Sequence, residues 1–258
     1  MLIPRQHAIL DLAKQVGRVT VEDLATRFEV TPQTIRKDLN ELCEQRLLAR
    51  VHGGAILASS VENVGYDARR QIAAREKMAI GRAAAELVPN DASLFINIGT
   101  TTEAVAQALL QHSGLMVITN NTNVANAMRA YPQVEVVIAG GVVRRSDGGI
   151  VGEAAVDFIR QFKVDFAIVG TSAIDGDGSL LDYDFREVKV AQAIMANARR
   201  VILVADSTKF DRTAPVRIGT IDQVDVFVTD RCPDGPLRGL LAAAGVDLVE
   251  AMPGEPEE

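Results

Sequence analysis

From residue 92 onward the chain repeats one pattern. A short apolar run rich in β-branched residues is followed by a cluster of Gly, Thr or Asn and then by a segment with helical spacing. The runs fall at 93–98, 116–119, 134–139, 166–169, 201–205, 224–229 and 246–250, and the spacing predicts helices at 103–112, 123–130, 153–161, 185–198 and 236–244. Strands apolar along their whole length are buried on both faces. Strands alternating with helices pair in parallel through crossover helices. This region is expected to form an α/β domain on an open, mostly parallel sheet.

Ligands of such sheets bind beyond the carboxyl ends of the strands. Those ends carry Gly99-Thr100-Thr101-Thr102, Asn120-Asn121, Gly140-Gly141, Gly170 and, after Asp206-Ser207-Thr208, Lys209. Backbone N–H groups and hydroxyls at a helix start make an anion cradle. The two asparagine amides suit a sugar or polyol, and paired glycines admit close backbone approach. Lys209 can meet a phosphate as a point charge. Asp175 and Glu187 are carboxylates near strand-end loops, whereas Asp177 and Asp182 read as turn residues beside Gly176 and Gly178. Together these residues predict a site for a small phosphorylated effector.

The N-terminal region follows other rules. Residues 4–16 have an amphipathic helical pattern, with Ile9, Leu10, Leu12, Ala13 and Val16 on the apolar side and Gly17 as the stop. Thr20 can cap a second helix from Val21 to Phe28. A third begins at Thr31-Pro32, with a hydroxyl to cap the first turn and a proline where no N–H is needed. Ile35, Leu39 and Leu42 give it one apolar face, and Gln33, Thr34, Arg36, Lys37 and Asn40 lie opposite. Residues 47–57 read as two short strands around Gly53-Gly54, a wing. Helix, turn, helix and wing is the layout of a major-groove reader. Gln33, Thr34 and Arg36 are expected at base edges or nearby phosphates, with Thr31, Lys37, Arg50, His52 and Gly53 against the backbone.

Charge agrees with that division. The chain carries a net charge of −7, yet residues 1–57 hold eight Lys/Arg and seven Asp/Glu, a net of +1, so the acidity belongs to the larger part. The resulting domain reading is a winged helix at 1–57, a linker and connecting helix at 58–91, the α/β effector and oligomerisation domain at 92–252, and a disordered tail at 253–258. Within the second segment, 59–65 reads as linker and 67–88 as one long helix.

Enzymatic alternatives are poorly supplied. His7, His52 and His112 form no nucleophilic triad, and no metal-ligand spacing occurs. No cofactor, catalytic residue or metal site is expected. Cys43 and Cys232 are too far apart to suggest a disulfide framework and fit a reducing cytoplasm. Pro4, Arg5 and His7 interrupt any signal-peptide core, and no apolar run is long enough to span a bilayer.

The N-terminal motifs Val19-Thr20-Val21-Glu22-Asp23-Leu24-Ala25, Thr31-Pro32-Gln33-Thr34-Ile35-Arg36-Lys37-Asp38-Leu39 and His52-Gly53-Gly54-Ala55 resemble the DeoR family of transcriptional repressors. The rest resembles that family's sensor domain, whose fold is similar to ribose-5-phosphate isomerase. Within the family, Ile98-Gly99-Thr100-Thr101, Thr119-Asn120-Asn121 and Asp147-Gly148-Gly149-Ile150-Val151-Gly152-Glu153-Ala154 look like the members that govern glycerol 3-phosphate metabolism. This likeness implies a cytoplasmic repressor, a homo-oligomer (dimer or tetramer) on double-stranded operator DNA, released by glycerol 3-phosphate or a related phosphorylated polyol or sugar. The alternative is a sugar-phosphate isomerase-like enzyme with an appended regulatory domain. Against it, Val169-Gly170-Thr171-Ser172 stands where the isomerases carry Asp-Gly-Ala-Asp. Arg186-Glu187-Val188-Lys189 and Asp206-Ser207-Thr208-Lys209 resemble the isomerases' Arg-Glu-Lys and phosphate elements. One departure from the family is Asn97, where many members have Asp.

Overall fold

The computed structural model describes residues 2–44, 47–51, 53–57, 63–210 and 212–254. The N-terminal unit contains α1 (Pro4–Val16), β1 (Arg18–Thr20), α2 (Val21–Arg27), α3 (Pro32–Glu44), β2 (Leu48–Val51) and β3 (Gly54–Leu57). Its three strands form an antiparallel sheet in the order β1–β3–β2. Ile9, Leu10, Ala13, Leu24, Ile35, Leu39, Leu42 and Leu48 close a common core. Val16, expected on that side, is 41% exposed, because α1 ends one residue later at Gly17 (φ 77°) and its last turn runs past the core. Gly54 is fixed by crowding: a Cβ there would lie 2.0 Å from the carbonyl oxygen of Val19. Only glycine lets β3 come this close to β1. Part of the linker read at 59–65, and four residues of the expected tail, lie outside the described residues.

The single helix expected at 67–88 is two helices, α4 (Tyr66–Gln71) and α5 (Ala74–Glu86). Ile72 is extended and Ala73 left-handed (φ 52°), which breaks the run. The break is held by Lys77, whose Nζ donates to the carbonyls of Arg69 (2.5 Å) and Ile72 (2.6 Å). Helical periodicity could not reveal this, because the stop comes from a side chain reaching back from the next helix. Ile80, Ala84, Ala85 and Val88 pack into the core beneath the sheet. Thus α5 is a layer of the α/β body rather than a connector outside it.

The body continues through β4 (Ser93–Ile96), α6 (Thr100–Ala108), β5 (Leu115–Thr119), α7 (Thr122–Met128), β6 (Val134–Ile138), β7 (Val142–Val143), β8 (Ile150–Val151), α8 (Glu153–Ile159), β9 (Val164–Val169), β10 (Ala173–Ile174), β11 (Ser179–Asp182), α9 (Phe185–Ala196), β12 (Ala198–Val204), β13 (Val216–Thr220), β14 (Val226–Thr229), α10 (Pro236–Ala244) and β15 (Asp247–Glu250). Seven strands form one sheet in the order β15–β14–β12–β9–β4–β5–β6, and every neighbouring pair is parallel. Alternate residues feed two cores. Phe95, Ala167, Leu203 and Phe227 face α8, α9 and α10, while Leu94, Ile96, Ile168, Val204 and Val226 face α5, α6 and α7.

Two features lay beyond the periodicity. The β7–β8 hairpin and the antiparallel sheet β10–β11–β13 occupy stretches to which the pattern assigns no element. Their strands of two to five residues are too short to show a period. Strand order has one more consequence. From β4 the chain winds outward to β5 and β6, then returns to β9 and winds the other way, so direction reverses between β4 and β9. Their carboxyl ends open a crevice at the switch point, where this class of fold binds ligands.

Candidate functional site: a helix face and a pocket at the sheet edge

On α3 the polar face stands as the sequence suggested. Thr31, Gln33, Arg36, Lys37 and Asn40 are exposed and Thr34 is half-buried. Thr31 caps the helix, its Oγ1 accepting from the backbone N–H of Thr34 (3.2 Å), and the two hydroxyls are 2.9 Å apart. Beneath the face lies a buried residue that pattern reading passed over. Asp38 accepts from Arg5 Nε (2.6 Å) and Gln6 Nε2 (3.4 Å), and Gln6 also donates to Glu41 (2.7 Å). These bonds lock α1 against α3 and fix the angle at which α3 is presented. Arg50 and Gly53 are exposed on the wing; His52 lies outside the described residues.

The second site is a small pocket at the switch point, lined by Asn63, Arg69, Ile98, Gly99, Thr100, Thr101, Thr102, Gly170, Thr171, Ser172, Asp182, Glu187, Val204 and Lys209. Of the expected effector residues, Gly99, Thr100, Thr101, Thr102, Gly170, Glu187 and Lys209 are brought together here. The helix after β4 starts at Thr100, not at 103, so all three threonines belong to its first turn. Their backbone N–H groups precede any helical carbonyl partner and face the helix's positive end. The Thr102 hydroxyl is already committed, donating to the carbonyls of Asn97 (2.7 Å) and Gly99 (2.8 Å), so it shapes the turn rather than offering a proton.

Five expected residues are elsewhere. Asn120 is buried with Nδ2 on the carbonyl of Ile150 (3.1 Å). Asn121 caps α7 by accepting from Asn123 N and donates to Glu103 (3.1 Å). Asn121 is spent on tying loops, while Asn120 Oδ1 is buried without a hydrogen-bond partner and neither residue lines the pocket. Gly140 and Gly141 are exposed beside the β7 hairpin, and Asp175 is exposed in the β10–β11 turn, where its N–H bonds to Ser179 O. In contrast Asp182, read as a turn residue, is buried at the end of β11 and lines the pocket, where it accepts from the Ser172 hydroxyl (2.8 Å). Its place after Leu180-Leu181 was the available sign of a strand end. Asn97 does not line the pocket; its Oδ1 accepts from the N–H of Ile98 (2.7 Å).

Charge in and around the pocket is unevenly balanced. Lys209 is almost wholly buried, and burial lowers its ammonium to about 7 against the opposing pull of Asp206, with Arg212, Lys77 and Arg69 pushing the same way as burial. Glu187 is raised to about 8 by burial and by the nearby Asp182 carboxylate, against Arg144. Arg144 organises the acidic side: it donates to Asp147 (2.8 and 2.6 Å), Glu187 (2.5 Å) and Asp184 (3.1 Å). Arg69, Asn63 and Ser172 had no local signal, since each reaches the pocket from an element whose position only the fold decides.

A family model for the DeoR-like helix-turn-helix domain matches residues 5–61, and one for the DeoR C terminal sensor domain matches residues 72–231. The chain is 51% identical over 244 residues to the glycerol-3-phosphate regulon repressor of Escherichia coli (strain K12), covering 95% of this chain and 97% of that protein. It is 50% identical over 231 residues to the glycerol-3-phosphate regulon repressor of Haemophilus influenzae, covering 90% of each. It is 39% identical over 246 residues to the HTH-type transcriptional repressor CsqR of Escherichia coli, covering 95% of this chain and 94% of that protein. A solved structure of ribose 5 phosphate isomerase A from Neisseria gonorrhoeae matches 52% of each chain at 14% identity with a TM-score of 0.38, a likeness too weak to bear on function. On the strength of both domain matches and these full-length similarities, the chain belongs to the DeoR family of transcriptional repressors.

Proposed function

We propose that this protein represses genes of glycerol 3-phosphate metabolism and leaves its operators when glycerol 3-phosphate occupies the pocket at the β4–β9 switch point. One observation carries the effector half of this reading: Gly99–Thr102, Gly170 and Lys209, far apart in sequence, line one pocket beyond the strand ends. The helix start and Lys209 suit the phosphate, and Asp182, Glu187 and Ser172 suit the hydroxyls of a small polyol. The high identity to two glycerol-3-phosphate regulon repressors supports this choice of ligand. On the DNA side, Gln33, Thr34 and Arg36 would read bases, with Thr31, Lys37, Arg50, His52 and Gly53 on the backbone. The protein would work in the cytoplasm as a dimer or tetramer, matching two-fold operators. Ligand binding shifts the equilibrium only if the arrangement that holds DNA binds the ligand less well than the one that does not. The test is an operator titration with and without glycerol 3-phosphate. Unchanged affinity, with release by a different phosphate ester, would move the effector assignment.

A second reading keeps one supporting observation. Asp182 and Glu187 put two carboxylates in the pocket, so an acid/base pair is present although Gly170-Thr171-Ser172 lacks one. Both are engaged, Glu187 by Arg144 and Asp182 by Ser172 and by the N–H groups of Tyr183 (2.6 Å) and Asp184 (3.3 Å). A proton-transfer base must be free to reach the substrate carbon. Turnover of ribose 5-phosphate is expected to be absent, and measurable turnover would restore the enzyme.

A further inference from the structure

We propose that Arg69 of α4 is a ligand-phosphate contact which gives up its ion pair with Asp147 when a phosphate ester binds, so that α4 registers occupancy of the pocket. This rests on reading the pocket as a phosphate-ester site. Arg69 lines it together with Thr100 and Lys209. Its side chain is 14% exposed and makes one ion pair, Nη2 to Asp147 Oδ2 at 3.2 Å, while its Nε is buried with no hydrogen-bond partner. A guanidinium in this state has unused donors, and phosphate is the group that engages them in parallel pairs.

Asp147 can release Arg69 at little cost. Arg144 already covers both its oxygens at 2.8 and 2.6 Å, and the N–H of Gly149 adds a third bond. At 3.2 Å the Arg69 contact is longer than either Arg144 bond and equal to that of Gly149. Moreover Arg69, Arg212 and Lys77 all crowd the Lys209 ammonium, so a dianion placed among them relieves repulsion that the protein's own acids leave in place.

The position of α4 gives the exchange a reach beyond the pocket. At one end the Tyr66 hydroxyl donates to Glu103 (2.7 Å) and accepts from Asn123 (2.9 Å). At the other, Lys77 holds the carbonyls of Arg69 and Ile72. Val64 just before α4, Ala68 within it and Ile72 at its end pack on Gly17 at the end of α1; a Cβ on Gly17 would lie 2.4, 3.0 and 3.1 Å from their nearest atoms. With no slack at that contact, displacement of α4 passes to α1, and Arg5–Asp38 passes it to α3.

The test uses the full chain, with calorimetric titration of glycerol 3-phosphate and of inorganic phosphate into the wild type, Arg69→Gln, Arg69→Lys and the neighbouring control Arg70→Gln. Circular dichroism checks the fold of each. We expect Arg69→Gln to raise Kd for both ligands at least 30-fold, Arg69→Lys to recover part of the loss, and Arg70→Gln to stay within threefold. In the wild type, saturating glycerol 3-phosphate should change amide exchange across residues 66–72. A Kd for folded Arg69→Gln within threefold of wild type overturns the contact, and unchanged exchange in α4 with ligand bound overturns the exchange of partners. If the wild type binds neither ligand, the phosphate reading of the pocket falls first, and the role of Arg69 with it.

Discussion

Lys77 Nζ stands 3.9 Å from Asp206 Oδ2, and the two side chains are only 5% and 0% exposed. The same ammonium closes the break between α4 and α5 by holding two carbonyls. Asp206 keeps Lys209 beside it, but loss of the Lys77 ammonium also leaves the carbonyls of Arg69 and Ile72 without that donor, at a cost of about 1–3 kcal/mol. Lys77→Met should lower the unfolding free energy by that amount in urea melts. Lys189→Met, which breaks an exposed pair with Glu153, should cost less than about 1 kcal/mol. Equal effects would mean that the Lys77–Asp206 pair has no special weight.

The wing depends on a contact with no room in it. Gly54→Ala drives a methyl group into the Val19 carbonyl, 2.0 Å away. β3 must then part from β1, and operator binding should be lost while glycerol 3-phosphate still raises the melting temperature of the α/β body. Gly53→Ala meets nothing within 4 Å, but its φ of 73° is left-handed, so it should cost only about 1–2 kcal/mol. Full operator affinity in Gly54→Ala would show that the wing has no part in DNA binding.

On α3 the account separates two kinds of contact. Arg36→Ala should cost about 1–3 kcal/mol of specific operator binding and relax sequence preference. Lys37→Ala should weaken binding to all sequences alike and reduce the salt slope by about one. Operator and random DNA titrated across a salt series decide both. An Arg36→Ala protein with unaltered preference would remove that residue from base reading.

These outcomes also measure how far the sequence could be read. The strands of the large sheet, the α3 face and the Gly and Thr residues of the pocket follow from local pattern, because apolar runs and strand-end Gly and Thr are consecutive residues. On the acidic side only Glu187 does. Asp182 belongs to a strand of four residues, and Arg69 sits on a helix that the pattern fused with its neighbour. Asn120 and Asn121 had the right chemistry in a strand-end loop, yet the fold keeps both out of the pocket lining, with Asn120 Nδ2 on the carbonyl of Ile150 and Asn121 on Glu103. Sequence pattern shows which groups a loop carries; the fold decides which remain free.

Effector binding should be pH-dependent, and the sign follows from Lys209. Its ammonium is the form that binds phosphate, and its lowered value of about 7 moves loss of that charge into the neutral range. Glu187, raised to about 8, gains negative charge over the same interval. The ligand's second ionisation, near 6, is already about three-quarters complete at pH 6.5, so it offsets the fall by only about 1.3-fold. Affinity for glycerol 3-phosphate should fall at least about tenfold from pH 6.5 to 8.5. Lys209→Arg, charged throughout, should show a shallower profile in calorimetry. A flat wild-type profile would mean that Lys209 does not meet the phosphate.

The most direct measurement of the central claim is fluorescence anisotropy of labelled operator DNA with the full-length protein as glycerol 3-phosphate is added. The wild type should lose operator affinity at least about tenfold at saturation, which corresponds to a coupling of about 1.4 kcal/mol. Lys209→Ala should bind the operator and no longer respond. Operator affinity that stays constant while thermal shift shows glycerol 3-phosphate bound to the protein would contradict the account.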